Sequence, residues 1–142
     1  MGRCEQQQAM PGTLKEPDRE VDAWATVVVD AAIEVHRHLG PALLEAGYEN
    51  ALCHELSLRG APYERQTVVS VKDKGLAIGE GRVDVLVASV LVVELKALPA
   101  LVPAHTSQVI SYLKAMGLSL GLLLNFGERH LKTGIRRVVL AR

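Results

Sequence analysis

Cysteine is scarce in this chain. Cys4 and Cys53 are the only two, and they stand far apart. That excludes a disulfide scaffold and a CxxC metal site, and makes a reducing cytoplasm the expected compartment. Long hydrophobic runs are also missing. No stretch reaches the roughly 18 consecutive apolar residues of a membrane span, so no membrane partner is expected. Charge of one sign is absent: 16 Lys and Arg balance 16 Asp and Glu, for a net charge of zero. A polycationic nucleic-acid coat and an acidic solvating tail are thereby excluded, although a local basic patch is not. A secretory signal is missing as well. Residues 1–13, MGRCEQQQAMPGT, place a polar Gln run where an apolar segment would have to sit. Residues 1–16 read as a disordered leader or a misassigned start, with Met10 as a second possible initiator.

What is present suits one globular domain over residues 17–142. The chain has 142 residues, of which 49% are apolar and 23% charged. Pro17-Asp18 is a helix-opening signal. Apolar Val21, Trp24, Ala25, Val28, Ala32, Val35 and Leu39 then recur at helical spacing, and Gly40-Pro41 stops the run. A second helix is predicted from about Leu43 to Arg59, with Leu44, Tyr48, Ala51/Leu52 and Leu56 as its stripe. After Gly60 the texture turns to strand. Tyr63–Lys72 alternates and ends in Asp73-Lys74-Gly75 turn chemistry. A Gly-interrupted stretch, Ile78–Gly81, approaches a strand over Arg82–Ala88. After a short turn at Ser89 comes VLVVELKA, Val90–Ala97, a run suited to burial on both faces. Pro103 opens a third helix to about Met116, closed by Gly117. Strands over Leu118–Phe126 and Ile135–Leu140 complete an α/β chain with a mixed sheet of about five strands flanked by helices.

The informative residues are the charges inside the apolar strands. Asp84 sits in RVDVLV, and Glu94 and Lys96 sit in VVELKA. An ionised group in a buried strand is costly unless it is paired or binds a metal. Glu94 and Lys96, two apart, share a side of their strand. Pairing across Ser89 puts position 84 opposite about 94. Two carboxylates side by side are hard ligands for Mg²⁺ or Mn²⁺, and the lysine can orient a water or offset charge. A buried salt bridge among the three is the rival reading, and the strand charges alone leave both open.

Asp followed ten positions on by Glu-x-Lys resembles the signature of the PD-(D/E)XK nucleases, with Val83 in place of the proline. The wider text, ALLEAGYENAL (42–52), EGRVDVLV (80–87), VVELKAL (92–98), HTSQVISYLKAMGLSLGLLLNF (105–126) and GIRRVV (134–139), resembles the GxxExxY family. This is a set of small bacterial proteins placed in that superfamily. Two departures stand out. Ala42 replaces the leading glycine, and Asp73-Lys74-Gly75 replaces the Tyr-Lys-Gly turn.

The resemblance implies a PD-(D/E)XK nuclease-like fold and a set of roles. Asp84, Glu94 and the Leu95 carbonyl would hold the metal, and Lys96 would position the attacking water. Glu45 would be an extra helical carboxylate reaching the metal directly or through water; otherwise it is a solvated helix residue. Gln108 and Tyr112, four apart on one helix face, match a Q-x-x-x-Y motif whose residues line the site and hold the nucleic-acid backbone. Otherwise they border a helix that faces the sheet. His105 would lie near the metal or the scissile phosphate, or else contact backbone at the helix start. Tyr48 is a site neighbour or core.

Outside the resemblance, Arg136 and Arg137 belong to a C-terminal basic cluster that either contacts phosphates or guards an edge strand. His36, His38, His54 and His130 have no partner at zinc spacing, and Cys53 reads as a small buried apolar residue. The functional expectation is a Mg²⁺-dependent (Mn²⁺ possible) phosphodiesterase acting on nucleic acid, in the first place DNA. The alternative is a catalytically silent nucleic-acid- or partner-binding module of the same fold. A homodimer through VLVASVLVV is open if that stretch lies at a sheet edge.

Overall fold

The computed structural model describes residues 19–140. The leader, Pro17-Asp18, Cys4 and Met10 all lie outside the described residues. Helix α1 runs Arg19–Leu39 and helix α2 Glu45–Leu58. Strands β1 (Tyr63–Asp73), β2 (Leu76–Val87) and β3 (Leu91–Lys96) follow. Then come α3 (Pro103–Met116), β4 (Leu120–Asn125), a 3-10 turn over Leu131–Gly134 and β5 (Ile135–Val139). The five strands form one mixed α/β sheet in the order β1-β2-β3-β4-β5. Only β3 and β4 are parallel, and α3 is the crossover between them.

The sheet is the middle of three layers. On one face Val85, Val87, Val93, Leu95, Leu122 and Leu124 pack against α1 and α2. On the other, Leu86, Val92, Leu123 and Val138 pack against Val109, Tyr112 and Leu113 of α3. Strands covered on both sides must be apolar throughout, which is why every residue of β4 is buried. Among the described residues no helix is long and apolar enough to cross a membrane.

Three expectations need correction. The interrupted stretch at Ile78–Gly81 is not a separate approach: β2 is continuous from Leu76. Its glycine at 81 does not break the strand but lets α3 close upon it, since a Cβ there would stand 2.4 Å from Cε1 of Tyr112. Leu44 is not part of the α2 stripe; it precedes the helix and is 82% exposed. The stretch VLVASVLVV is no sheet edge. It forms the centre of the sheet, with β2 and β3 each paired on both sides, so dimerisation through it is excluded. The exposed edges are β1 and β5.

Candidate active site

Strands β2 and β3 pair as Val85↔Val93, Leu86↔Val92 and Val87↔Leu91, around a turn at Ala88-Ser89-Val90. The same register brings Asp84 opposite Glu94, where the ladder stops. Two residues apart on one regular strand, Val83 and Val85 should face the same way. Instead Val83 packs towards α3 and Val85 towards α1 and α2. The strand therefore turns over at Asp84. Its neighbour β1 distorts at the same level: Gln66, between the pairs Arg65↔Val85 and Thr67↔Val83, has φ +53°. For a glutamine this left-handed conformation is strained.

In the gap so opened, side chains replace the missing ladder bonds. The Asp84 N–H donates to Glu94 Oε1 (2.8 Å), and the Leu95 N–H donates to Asp84 Oδ2 (2.9 Å). Gln66 Nε2 donates to both Asp84 Oδ1 (3.3 Å) and Glu49 Oε1 (2.9 Å). Glu49 is itself buried and paired with Arg65 at 2.9 Å. Asp84 and Glu94 are thus oriented by donors that do not neutralise them.

Glu94 is 3% exposed. Burial first, then the Asp84 charge, pushes its carboxyl up to about 8, against which Lys96 acts only weakly. No ion pair among the described residues includes Lys96. The buried salt bridge, the rival reading of the strand charges, is therefore not formed. Glu45, exposed at the first turn of α2, is held above the usual carboxylate range by burial and by Asp84, with Lys96 opposing. Among the described residues no three His, Cys, Asp or Glu side chains stand close enough to hold a metal. Glu45 nonetheless lies within electrostatic reach of both Asp84 and Glu94.

From the α3 side, the Tyr112 ring lies over Gly81, and its hydroxyl reaches Gln108 and the Arg82 backbone. Burial, then the Glu94 charge, raises its pKa, so the phenol stays a donor. After Lys96 the chain is clamped. Asn125, fully buried, accepts from the Leu98 N–H (2.9 Å) and donates to the Leu98 carbonyl (3.0 Å). A Cβ at Gly127 would stand 2.2 Å from the Leu98 carbonyl oxygen, so only glycine lets the two segments meet.

A family model described as the PD-(D/E)XK nuclease superfamily matches residues 22–138. This chain belongs to that superfamily. PD-(D/E)XK proteins are usually nucleases and generally work with divalent metals. No curated protein and no solved structure matches the chain.

The donor set fits such a metal. Mg²⁺ is commonly held by one or two carboxylates, with water and substrate phosphate filling the remaining positions. Asp84 and Glu94 supply two, side by side where the β2–β3 ladder stops.

The other expected site residues have partners of their own. The Nδ1 of His105 accepts the Val102 N–H at 3.0 Å, closing the first turn of α3. Arg136 folds back on the carbonyls of Thr133 (3.0 Å) and Ile135 (3.1 Å), and Arg137 pairs with Asp22 of α1. Tyr48 is core: it stacks on Phe126 at 4.6 Å, and its hydroxyl donates to the Gly40 carbonyl. Cys53 is buried, and burial pushes its thiol up to about 11. Sequence reasoning missed Gln66, Glu49 and Asn125. Glu49 had one signal, a carboxylate four residues after Glu45 on the same helix face. Gln66 had none, because its role comes from a backbone kink.

Proposed function

We propose that this protein is a metal-dependent nuclease that hydrolyses phosphodiester bonds, with DNA as the preferred substrate. One observation carries the reading: two juxtaposed carboxylates, one buried and charge-stressed, beside a lysine that does not neutralise them. Asp84, Glu94 and the Leu95 carbonyl are the ligands for Mg²⁺ or Mn²⁺. When bound, such an ion polarises a phosphoryl oxygen and acidifies water.

The chain's own groups supply the rest. The unpaired ammonium of Lys96 orients the attacking water and offsets negative charge developing on the phosphorus centre. Gln66 and the Asp84 and Leu95 amides hold both carboxylates in place, so little reorganisation accompanies reaction. Tyr112, kept protonated, and Gln108 donate hydrogen bonds to the nucleic-acid backbone. Glu45 would assist in holding the ion, directly or through water. The breaking P–O bond releases the 3′ oxygen, and the water's hydroxyl stays on phosphorus. Membership of the GxxExxY family rests on the five sequence blocks and on Glu45 and Tyr48 within the first.

The test is incubation of the full chain with single- and double-stranded DNA and RNA in Mg²⁺ or Mn²⁺, beside Asp84→Asn and Lys96→Ala. Cleavage by the native chain, abolished in both variants, is expected. Binding without cleavage would make it the silent module.

A further inference from the structure

A second concave site lies at the C-terminal end of α1. It is a groove of about 620 Å³ between the C-terminal turn of α1 and the segment leading into β5. Its walls carry His36, Arg37, Arg129, His130 and Lys132, its floor is apolar Ile33 and Leu131, and no acid lines it. In a chain with zero net charge, this is a marked concentration of one sign. Among the described residues Arg129 and Lys132 form no ion pair, and both are exposed. Arg37 pairs only with Glu34, on the surface, where such pairs contribute little. The groove is rigidly built. His36 is 7% exposed and bonds the Glu128 carbonyl at 2.8 Å, tying the β5 approach to α1.

The groove opens at the end of the sheet where β3 and β4 finish, beside Lys96 and Asn125. The Phe126 N–H donates to the Lys96 carbonyl at 2.7 Å, and Arg129 follows three residues later. The Lys96 and Arg129 Cα atoms are therefore at most about 18 Å apart. Gly40, on the groove's rim, begins the short loop to Glu45.

We propose that this groove seats the phosphodiester backbone of the strand whose scissile phosphate lies at Asp84 and Glu94. The inference rests on the nuclease reading and deepens it. Cations on the walls take phosphates, and the apolar floor takes a sugar or base edge.

The test measures binding of labelled DNA and RNA strands of about 12 nucleotides to the full chain in EDTA, by fluorescence anisotropy across a salt series. Arg129→Gln/Lys132→Gln is compared with an equal charge loss at the β1–β2 tip, Lys72→Gln/Lys74→Gln. Arg37→Gln is a second groove variant. The groove pair is expected to weaken binding at least about fivefold and to lower the salt slope by about 1.4 to 1.8. Arg37→Gln should weaken it about twofold, and the tip pair by less. Equal losses in the two pairs, or none in either, would overturn the proposal. So would full displacement of the strand by a mononucleotide. Cleavage with unchanged affinity in the groove variants sinks the groove alone; groove-dependent binding with no cleavage in any metal sinks the nuclease reading alone.

Discussion

Strand β3 has two neighbours, and they treat it differently. Against β4 it pairs without interruption from Leu91↔Leu120 to Lys96↔Asn125. Against β2 it pairs over only three positions before Asp84 and Glu94 part the strands. The first seam is apolar over Leu91–Val93, and there the ladder satisfies the backbone. In the second, carboxylates satisfy the backbone, and a strained Gln66 holds Asp84. One strand thus carries both the core and the chemistry, and the difference is whether side chains or backbone complete its hydrogen bonds. Regular pairing stabilises; interrupted pairing leaves charged groups oriented but uncompensated, which is what a cation and a phosphate require.

The comparison breaks most visibly if the acids are ordinary. Asp84→Asn is expected to lower turnover on the order of 10³-fold, about 4 kcal/mol, with Tm little changed. A steady-state assay beside thermal melting checks this, and a lost fold with retained specific activity would place Asp84 in the core instead. The apolar seam should respond the other way. Leu122→Ala, at a site 2% exposed, should cost about 3 kcal/mol of stability and leave the turnover of the folded fraction unchanged. Denaturant titration measures that.

Gln66→Gly separates strain from function. Glycine accepts φ +53° freely, so stability should move by less than about 1 kcal/mol. Loss of the Asp84 bridge should still lower turnover about tenfold. If melting collapses and turnover per folded molecule does not fall, the bridge is only a staple.

The smallest effect is in pH. Glu94 has a native pKa of about 8, above its ordinary 4.5, so the folded form holds the proton more tightly than the unfolded chain. The stability it contributes is whole below about 4.5 and disappears as pH rises through 8. In EDTA the native chain should therefore lose a few degrees of Tm between pH 6 and 9 relative to Glu94→Gln. Parallel melting curves would remove the case for an uncompensated acid.

Much of the fold was legible in the residues because burial follows periodicity. The α1 stripe, the Pro103–Met116 helix and the apolar runs around β3 and β4 each show a repeat that only one element satisfies. The Asp84–Glu94 pairing was legible too, since the short turn at 88–90 leaves few registers. The rest was not. Glycine at 81 reads as a strand breaker until the Tyr112 ring is seen above it. For His105, Arg136 and Arg137 residue type left two roles open, and the partners each has in the fold (the Val102 amide, the Thr133 carbonyl, Asp22) are not revealed by spacing.

By itself, then, the sequence determined which elements form and which charged residues must be explained, because periodicity and the cost of burying charge are local properties. Only the tertiary structure decided that Lys96 leaves the acids unneutralised, that Gln66 bridges Asp84 to Glu49, and that Arg37 meets Arg129 and Lys132 around one groove. Those outcomes depend on distances between residues remote in the chain, and no local pattern encodes them.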